Sequence, residues 1–375
     1  MLYYPSAWRC VAGAWLAVLS MLVAACSPAA SAPSTSASKP TASASKPAAV
    51  NKEELARQFQ GKTITLTVGY APGGGFDTIA RIFAEFAPQY IPGKPQMVVS
   101  NLPGGDSLVA AQKVMASKPD GLSWVLMIDG VLKRDVLGDI EDFDATRATY
   151  LGTPDTAPAE TFFVVRSAVA TNFEEVMGSK TPLRIADARG GSGAQVEFAK
   201  LVGLPLEPVY GYSGTSEYFA ALNRTEVDGT FRGDPSLIRR LFPEWITNKT
   251  ITPILFFDEP CCKEFIEQGG WKTPPVLKDV IKMTDMQKRA YEVHNALRAT
   301  RVFALPPDVP ENVRLGLQQA FADTLKDPGF VKAMNERVGT QVGLGTGEEI
   351  LSAVRLMGQQ PPEVVSILKK MYAIE

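Results

Sequence analysis

Three segments of this chain place glycines where a strand-like run gives way to a helix-like one: Ala71-Pro72-Gly73-Gly74-Gly75, Asn101-Leu102-Pro103-Gly104-Gly105 and Arg189-Gly190-Gly191-Ser192-Gly193. The chemistry such turns support is anion binding. The first turn of a helix leaves backbone N–H groups without partners. The helix dipole adds roughly half a positive charge there. Glycine lets a ligand approach the backbone without meeting a Cβ. One turn of this kind is an ordinary strand-to-helix connection; three of them, two sharing Pro-Gly-Gly, point to a binding edge. Arg189 and Arg232 stand beside strand ends further along, where an arginine fork either grips a carboxylate or forms a surface ion pair, such as Arg232 with Asp234.

Other chemistries fail on detail. Gly73-x-Gly75-x-x-Thr78 lacks the third glycine of a dinucleotide fingerprint, and the second strand ends in Asn101 with no acidic residue to hold a ribose. No Gly-Lys-Ser/Thr follows a glycine loop. Gly190-x-Ser192-x-Ala194 and Gly211-x-Ser213-x-Thr215 each miss the last glycine of a nucleophile elbow. The single histidine, His294, lies in a helix-like segment and reads as a packing or surface residue rather than a base. The expectation is therefore a binding protein and not an enzyme, with no catalytic residues, no cofactor and no metal. A formal net charge of −2 argues against nucleic acid as a partner.

The elements that must position these turns alternate in the α/β manner. Ile64 to Tyr70 reads as a buried strand, followed by a helix carrying Ile79, Ile82, Phe83 and Phe86. Met97 to Ser100 is a second strand, followed by a helix with Leu108, Ala111 and Met115 on one face. Ser123 to Ile128 is a third, ending at Asp129-Gly130. Strands are expected at 161–165, 183–186, 208–210, 229–232 and 301–305. Helices are expected at 194–202, 216–223, 284–300, from Pro310 to Leu325, and near 346–358 and 361–372.

The first 50 residues stand apart. Arg9 precedes an apolar run from Val11 to Ala25, about the length of a signal-peptide core and short for a membrane span. The run ends Leu22-Val23-Ala24-Ala25-Cys26, similar to a bacterial lipobox, which makes residues 1–25 a leader and Cys26 the lipidation site. Ser, Ala, Pro, Thr and Lys then dominate up to residue 50 and can bury no core, so this stretch reads as a disordered tether with an r.m.s. reach of roughly 25–30 Å. Cys261 and Cys262 are adjacent, and the strained ring that would join neighbours makes two thiols the expectation.

The ordered motifs resemble those of the substrate-binding proteins of tripartite tricarboxylate transporters, the Bug family. Thr67-Val68-Gly69-Tyr70-Ala71-Pro72-Gly73-Gly74-Gly75-Phe76-Asp77-Thr78-Ile79-Ala80-Arg81 is similar to the family's first motif. Asn101-Leu102-Pro103-Gly104-Gly105 is similar to its second loop, and Lys118-Pro119-Asp120-Gly121 to the turn that follows. Val209-Tyr210-Gly211-Tyr212-Ser213-Gly214 and Val227-Asp228-Gly229 resemble its second domain. Phe303-Ala304-Leu305-Pro306-Pro307-Asp308-Val309-Pro310 and Leu325-Lys326-Asp327-Pro328 resemble its C-terminal return. The resemblance runs from about 62 to 372 and is weakest near 233–300.

The resemblance implies a periplasmic-binding-protein-like clamshell of two α/β domains with a cleft between them. Residues 51–162 plus 301–375 would form the first domain and 163–300 the second. The cleft would close on a small organic carboxylate, a di- or tricarboxylate or aromatic acid, for delivery to transporter membrane subunits. The alternative is a ligand-sensing co-receptor for a membrane sensor kinase. The expected ligand-binding set, built on the loops the resemblance implies at 71–78, 101–107, 190–195 and 211–215, is Tyr70, Pro72, Gly73, Gly74, Gly75, Phe76 and Asp77; Asn101, Pro103, Gly104, Gly105, Asp106 and Ser107; Asp129; and Gly191, Ser192, Gly193, Tyr212, Ser213 and Arg232. The protein is expected to be a monomer in the periplasm, anchored by Cys26. Two features depart from the family pattern: the lipobox, and Asp106, where small neutral residues are commoner. Asp106 either caps the helix from Ser107, the preferred role, or faces the cleft and favours a ligand with a donor. Asp77, which the family shares, has the same two roles open.

Overall fold

The computed structural model describes residues 50–154, 162–187, 193–212, 214–297, 300–338 and 341–374. The leader, Cys26 and nearly all of the Ser/Ala/Pro stretch lie outside these residues, as do Arg189, Gly190, Gly191, Ser192 and Ser213.

The strands, in chain order, are β1 (Thr63–Val68), β2 (Gln96–Asn101), β3 (Ser123–Ile128), β4 (Thr149–Thr153), β5 (Phe162–Arg166), β6 (Leu183–Ala186), β7 (Leu206–Val209), β8 (Gly229–Gly233), β9 (Ile251–Leu255), β10 (Arg301–Leu305) and β11 (Gly345–Thr346). They make two sheets, ordered β11-β4-β10-β3-β1-β2 and β7-β6-β8-β5-β9. In the first, β1 runs parallel to both β2 and β3, and β10 inserts antiparallel between β3 and β4. In the second, β6 runs parallel to β7 and β8, and β5 runs antiparallel to β8 and β9. Parallel strands with helices on both faces need apolar side chains on both faces. β3 shows this, with every residue from Trp124 to Ile128 buried. The chain builds β1–β4, crosses to build β5–β9, and returns as β10.

Helices cover the first sheet. Gly75–Phe86 presents Ile79, Ile82 and Phe83 at helical spacing, and the Phe83 ring lies 4.8 Å from Phe303 and 5.3 Å from Phe321. The helices Glu311–Lys326 and Gly347–Gly358 pack on β4. The last helix, Pro362–Met371, behaves differently from the expectation that 301–375 stays with the first half. It packs on Ala194–Leu201 and Asp285–Ala296. Its stripe of Val364, Leu368 and Met371 enters the same core as Ile185 and Phe198 from the second sheet's side.

Elements not anticipated include the helices Lys52–Phe59, Asp129–Val136, Pro235–Leu241 and Pro328–Arg337, and the strands β4, β9 and β11. The Cys261–Cys262 pair corrects the two-thiol expectation, because the structure joins them in a disulfide. Cys262 adopts a left-handed backbone conformation (φ 61°) between β9 and the helix Lys263–Gln268, and the bend brings the two sulfurs together.

Candidate functional site

β1 and β2 are hydrogen-bonded neighbours in register, with Val68 opposite Asn101. The two proline-glycine loops therefore leave adjacent parallel strands at their carboxyl ends, the edge where open α/β sheets bind ligands. In the first loop, residues 71–75 are exposed, and the helix Gly75–Phe86 begins behind Gly74 with no side chain capping it. Its first-turn N–H groups consequently have no capping acceptor. A Cβ on Gly75 would meet nothing within 4 Å, and one on Gly74 only the Ala71 carbonyl at 3.7 Å. The backbone at this helix start is open to a ligand.

Asp77 holds that loop in place. Its Oδ2 accepts from the Gly73 N–H at 2.8 Å and from Arg81 Nε at 2.9 Å, and its Oδ1 accepts from Asn101 Nδ2 at 2.9 Å. Asn101 Nδ2 also donates to the Tyr70 carbonyl at 3.0 Å. The Arg81 guanidinium, with the Gly73 and Asn101 donors, outweighs burial and draws the Asp77 carboxyl down to about 2. Both oxygens are engaged within the two loops, so Asp77 positions the loop.

The second loop is conformationally unusual. Gly104, Gly105, Asp106 and Ser107 have successive positive φ values of 146°, 56°, 55° and 77°. Glycine tolerates this; two consecutive non-glycine residues in such a conformation store local strain, which concentrates at ligand sites. Ser107 also presses on β1's end: a Cβ on Gly69 would lie 2.3 Å from Ser107 Cβ. Asp106 does not cap the following helix, contrary to its preferred role. The helix Leu108–Met115 has no side-chain cap, and Asp106 Oδ1 instead accepts the Tyr70 hydroxyl at 2.5 Å. Burial first, then the Asp106 charge, push the Tyr70 phenol far up, with Asp129 adding to the effect. Tyr70 packs its ring 4.4 Å from Phe76, over which the Arg301 guanidinium lies at 5.7 Å. Asp129 opens the helix Asp129–Val136 and pairs with Lys133 one turn later at 2.6 Å.

From the second sheet, Arg232 on β8 pairs with Asp187, at the end of β6, at 3.7 Å. The alternative Arg232–Asp234 pair is not formed: Asp234 caps the helix Pro235–Leu241 through the Leu237 N–H at 2.9 Å. Tyr218 is buried, and its phenol is pushed up to about 12 by burial and the Asp187 charge, with Arg232 opposing and Asp106 adding. Asp106, from the first sheet's second loop, thus acts on a tyrosine of the second sheet's layer.

No protein-family profile matches this chain, and no curated protein sequence is significantly similar to it. Solved structures are. A TctC solute-binding protein from Polaromonas superposes with a TM-score of 0.60 at 16% identity, over 82% of this chain and 98% of that one. The fold is that of the TctC-type solute-binding proteins. The periplasmic binding protein BugD gives a TM-score of 0.55 at 19% identity, over 83% of this chain and 97% of its own. MatC from Rhodopseudomonas palustris, solved with bound malate, gives 0.57 at 15% identity, over 83% and 99%.

Within this TctC-type fold, the structure brings Tyr70, Phe76, Asp106, Ser107 and Asp129 together, next to the adjoining glycine turns. Pro72 and Pro103 sit exposed on those turns. Gly193 precedes the helix Ala194–Leu201 without a side-chain cap, and the Tyr212 ring lies 5.9 Å from Tyr218. Sequence reasoning missed Lys133, Asp187, Tyr218 and Arg301. The one available signal was the i, i+4 spacing of Asp129 and Lys133. The others are brought in by sheet pairing and helix packing. Among the described residues there is no cluster of three metal-ligating side chains, and no helix long and apolar enough to cross a membrane.

Proposed function

We propose that this chain is an extracytoplasmic solute-binding protein of the tripartite tricarboxylate transporter type, capturing a small organic carboxylate and presenting it to transporter membrane subunits. The observation that carries the reading is the uncapped helix start at Gly74 and Gly75, locked by Asp77 to a second glycine turn on the neighbouring strand. Backbone N–H groups and a helix dipole aimed at solvent select an anion. Among the described residues the site places no nucleophile–base pair beside them. Similar folds have been solved with malate and with adipate, which supports a carboxylate as cargo; this reading takes it to be a di- or tricarboxylate, or an aromatic acid packed against Tyr70 and Phe76. In this reading residues 51–162 and the returning chain from 301 form one jaw and 163–300 the other, with the last helix, Pro362–Met371, packed against the second. The protein works as a monomer without cofactor, held in the periplasm by a lipid on Cys26 after removal of residues 1–25.

A thermal-shift screen of organic acids, followed by calorimetry, tests the proposal. A true ligand at 100 times its Kd adds about 2.7 kcal/mol of stability. Failure of every carboxylate to shift the melting transition would sink it.

A further inference from the structure

One carboxylate in the site stands out. Asp129 is paired with Lys133 and Asp187 with Arg232, whereas Asp106 forms no ion pair among the described residues. Its one hydrogen-bond donor there is the Tyr70 hydroxyl, on Oδ1. Oδ2 is left to accept from something else. The Asp106 charge raises the Tyr218 phenol, from the second sheet's layer, as well as that of Tyr70. Next to Asp106 is a second unmet group. Ser107 is fully buried, and its Oγ makes no hydrogen bond among the described residues, although it lies close enough to the Tyr70 phenol to ease that group's ionisation. Buried polar atoms are normally satisfied. Both groups sit on the strained stretch from Gly104 to Ser107, beside the open helix start of the first loop. A plain dicarboxylate would bring a second negative charge to a carboxylate that forms no ion pair among the described residues. An acid bearing an ammonium or hydroxyl group would supply the missing donor.

We infer that Asp106 sets the ligand class, selecting a small acid that carries a hydrogen-bond donor, an amino or hydroxy acid, over its unsubstituted counterpart. The acid's carboxylate meets the N–H groups behind Gly74, and its donor meets Asp106 Oδ2. The inference rests on the carboxylate-capture reading above.

The test is calorimetry on the full chain with matched sets: succinate, malate and aspartate, and glutarate, 2-hydroxyglutarate and glutamate. The expected result is that the amino or the hydroxy member of a set binds at least about tenfold tighter than the unsubstituted acid, the scale of one charge-assisted hydrogen bond. Whether the amino or the hydroxy member binds better tells which donor is used. Asp106→Asn and Asp106→Gly both tolerate the positive φ, so they should fold. Asp106→Gly should erase the preference, and Asp106→Asn should reduce it most for the amino acid. Unsubstituted acids binding as well as or better than their substituted partners overturn the inference while leaving carboxylate capture intact. So does a preference that survives Asp106→Gly. No binding by any acid in either set overturns the inference, and the wider organic-acid screen then decides carboxylate capture.

Discussion

Asn101 donates from Nδ2 to Asp77 Oδ1 at 2.9 Å, and this bond joins two loops that leave neighbouring strands. Asp77 is buried, and its carboxyl is drawn from 3.8 to about 2 by Arg81, Gly73 and Asn101. A carboxyl depressed in the folded state stabilises it fully above the ordinary value, and that contribution fades as pH falls from about 4 toward 2. Asp77→Asn should therefore cost roughly 1–2 kcal/mol at neutral pH and little at pH 2. It should also weaken ligand binding, because the Gly73 N–H loses its charged acceptor and the loop its fixed shape. Urea midpoints at both pH values check the first part. An unchanged neutral-pH midpoint would show that the network holds nothing in place.

Glycine is needed at some of these positions for conformation and at others for access, and the two can be separated. Gly104 has φ 146°, and its Cβ would lie 2.8 Å from Val109; Gly121 has φ 81° and would strike Val313. Substituting either one strains the fold. Gly74 has φ −80° and open space around it. Gly74→Val should keep stability within about 1 kcal/mol of the parent and lower carboxylate affinity about tenfold or more, one charge-assisted bond's worth. Thermal melts and calorimetry on the same sample decide it. Parent-like affinity would make this loop a structural turn.

The glycine turns were legible because local chemistry alone dictates them: a strand, a break and a helix start are adjacent in the chain. Ile79, Ile82 and Phe83 announce their helix through spacing. What escaped was whatever depends on distant segments meeting. Arg232 has a near neighbour in Asp234, yet Asp234 is spent capping its own helix, and Asp187 arrives from the paired strand β6. The last helix was read correctly as a helix, but its partner was not, since Val364, Leu368 and Met371 fit any apolar surface, and the one they meet is built by Ala194–Leu201 and Asp285–Ala296. The Cys261–Cys262 bridge depended on a left-handed residue that cysteine does not advertise.

The leader makes a separate claim. If Cys26 is lipidated, the protein should take up labelled palmitate and partition into detergent, and Cys26→Ala should release it or stall its processing. Equal amounts of soluble, unlabelled protein from both forms would leave a plain signal peptide.

The only histidine offers a clean pH experiment. His294 Nδ1 and the Tyr372 hydroxyl are hydrogen-bonded at 2.6 Å where the last helix docks, and the imidazole is 8% exposed. Burial first, then the charges of Lys133 and Arg232, hold its pKa well below the ordinary 6.5. The folded protein therefore keeps the ring neutral, while the unfolded chain takes up a proton below about pH 6.5. Stability is present above that value and is lost as pH falls through it, by at most about 1.4 kcal/mol per pH unit for one proton. Carboxylates titrate mostly lower, so between pH 7 and 5 the slope should belong largely to His294. His294→Gln should flatten it, leaving a less stable protein at pH 7 whose midpoint barely moves down to pH 5. Tyr372→Phe keeps the ring and removes the hydroxyl. It should cost about 1 kcal/mol or more at pH 7 while preserving the slope, since burial and the two cations remain. Denaturant midpoints across that range, for the parent and both variants, give the answer. A parent slope no steeper than that of His294→Gln would mean the imidazole is already charged, or exposed, in the folded protein.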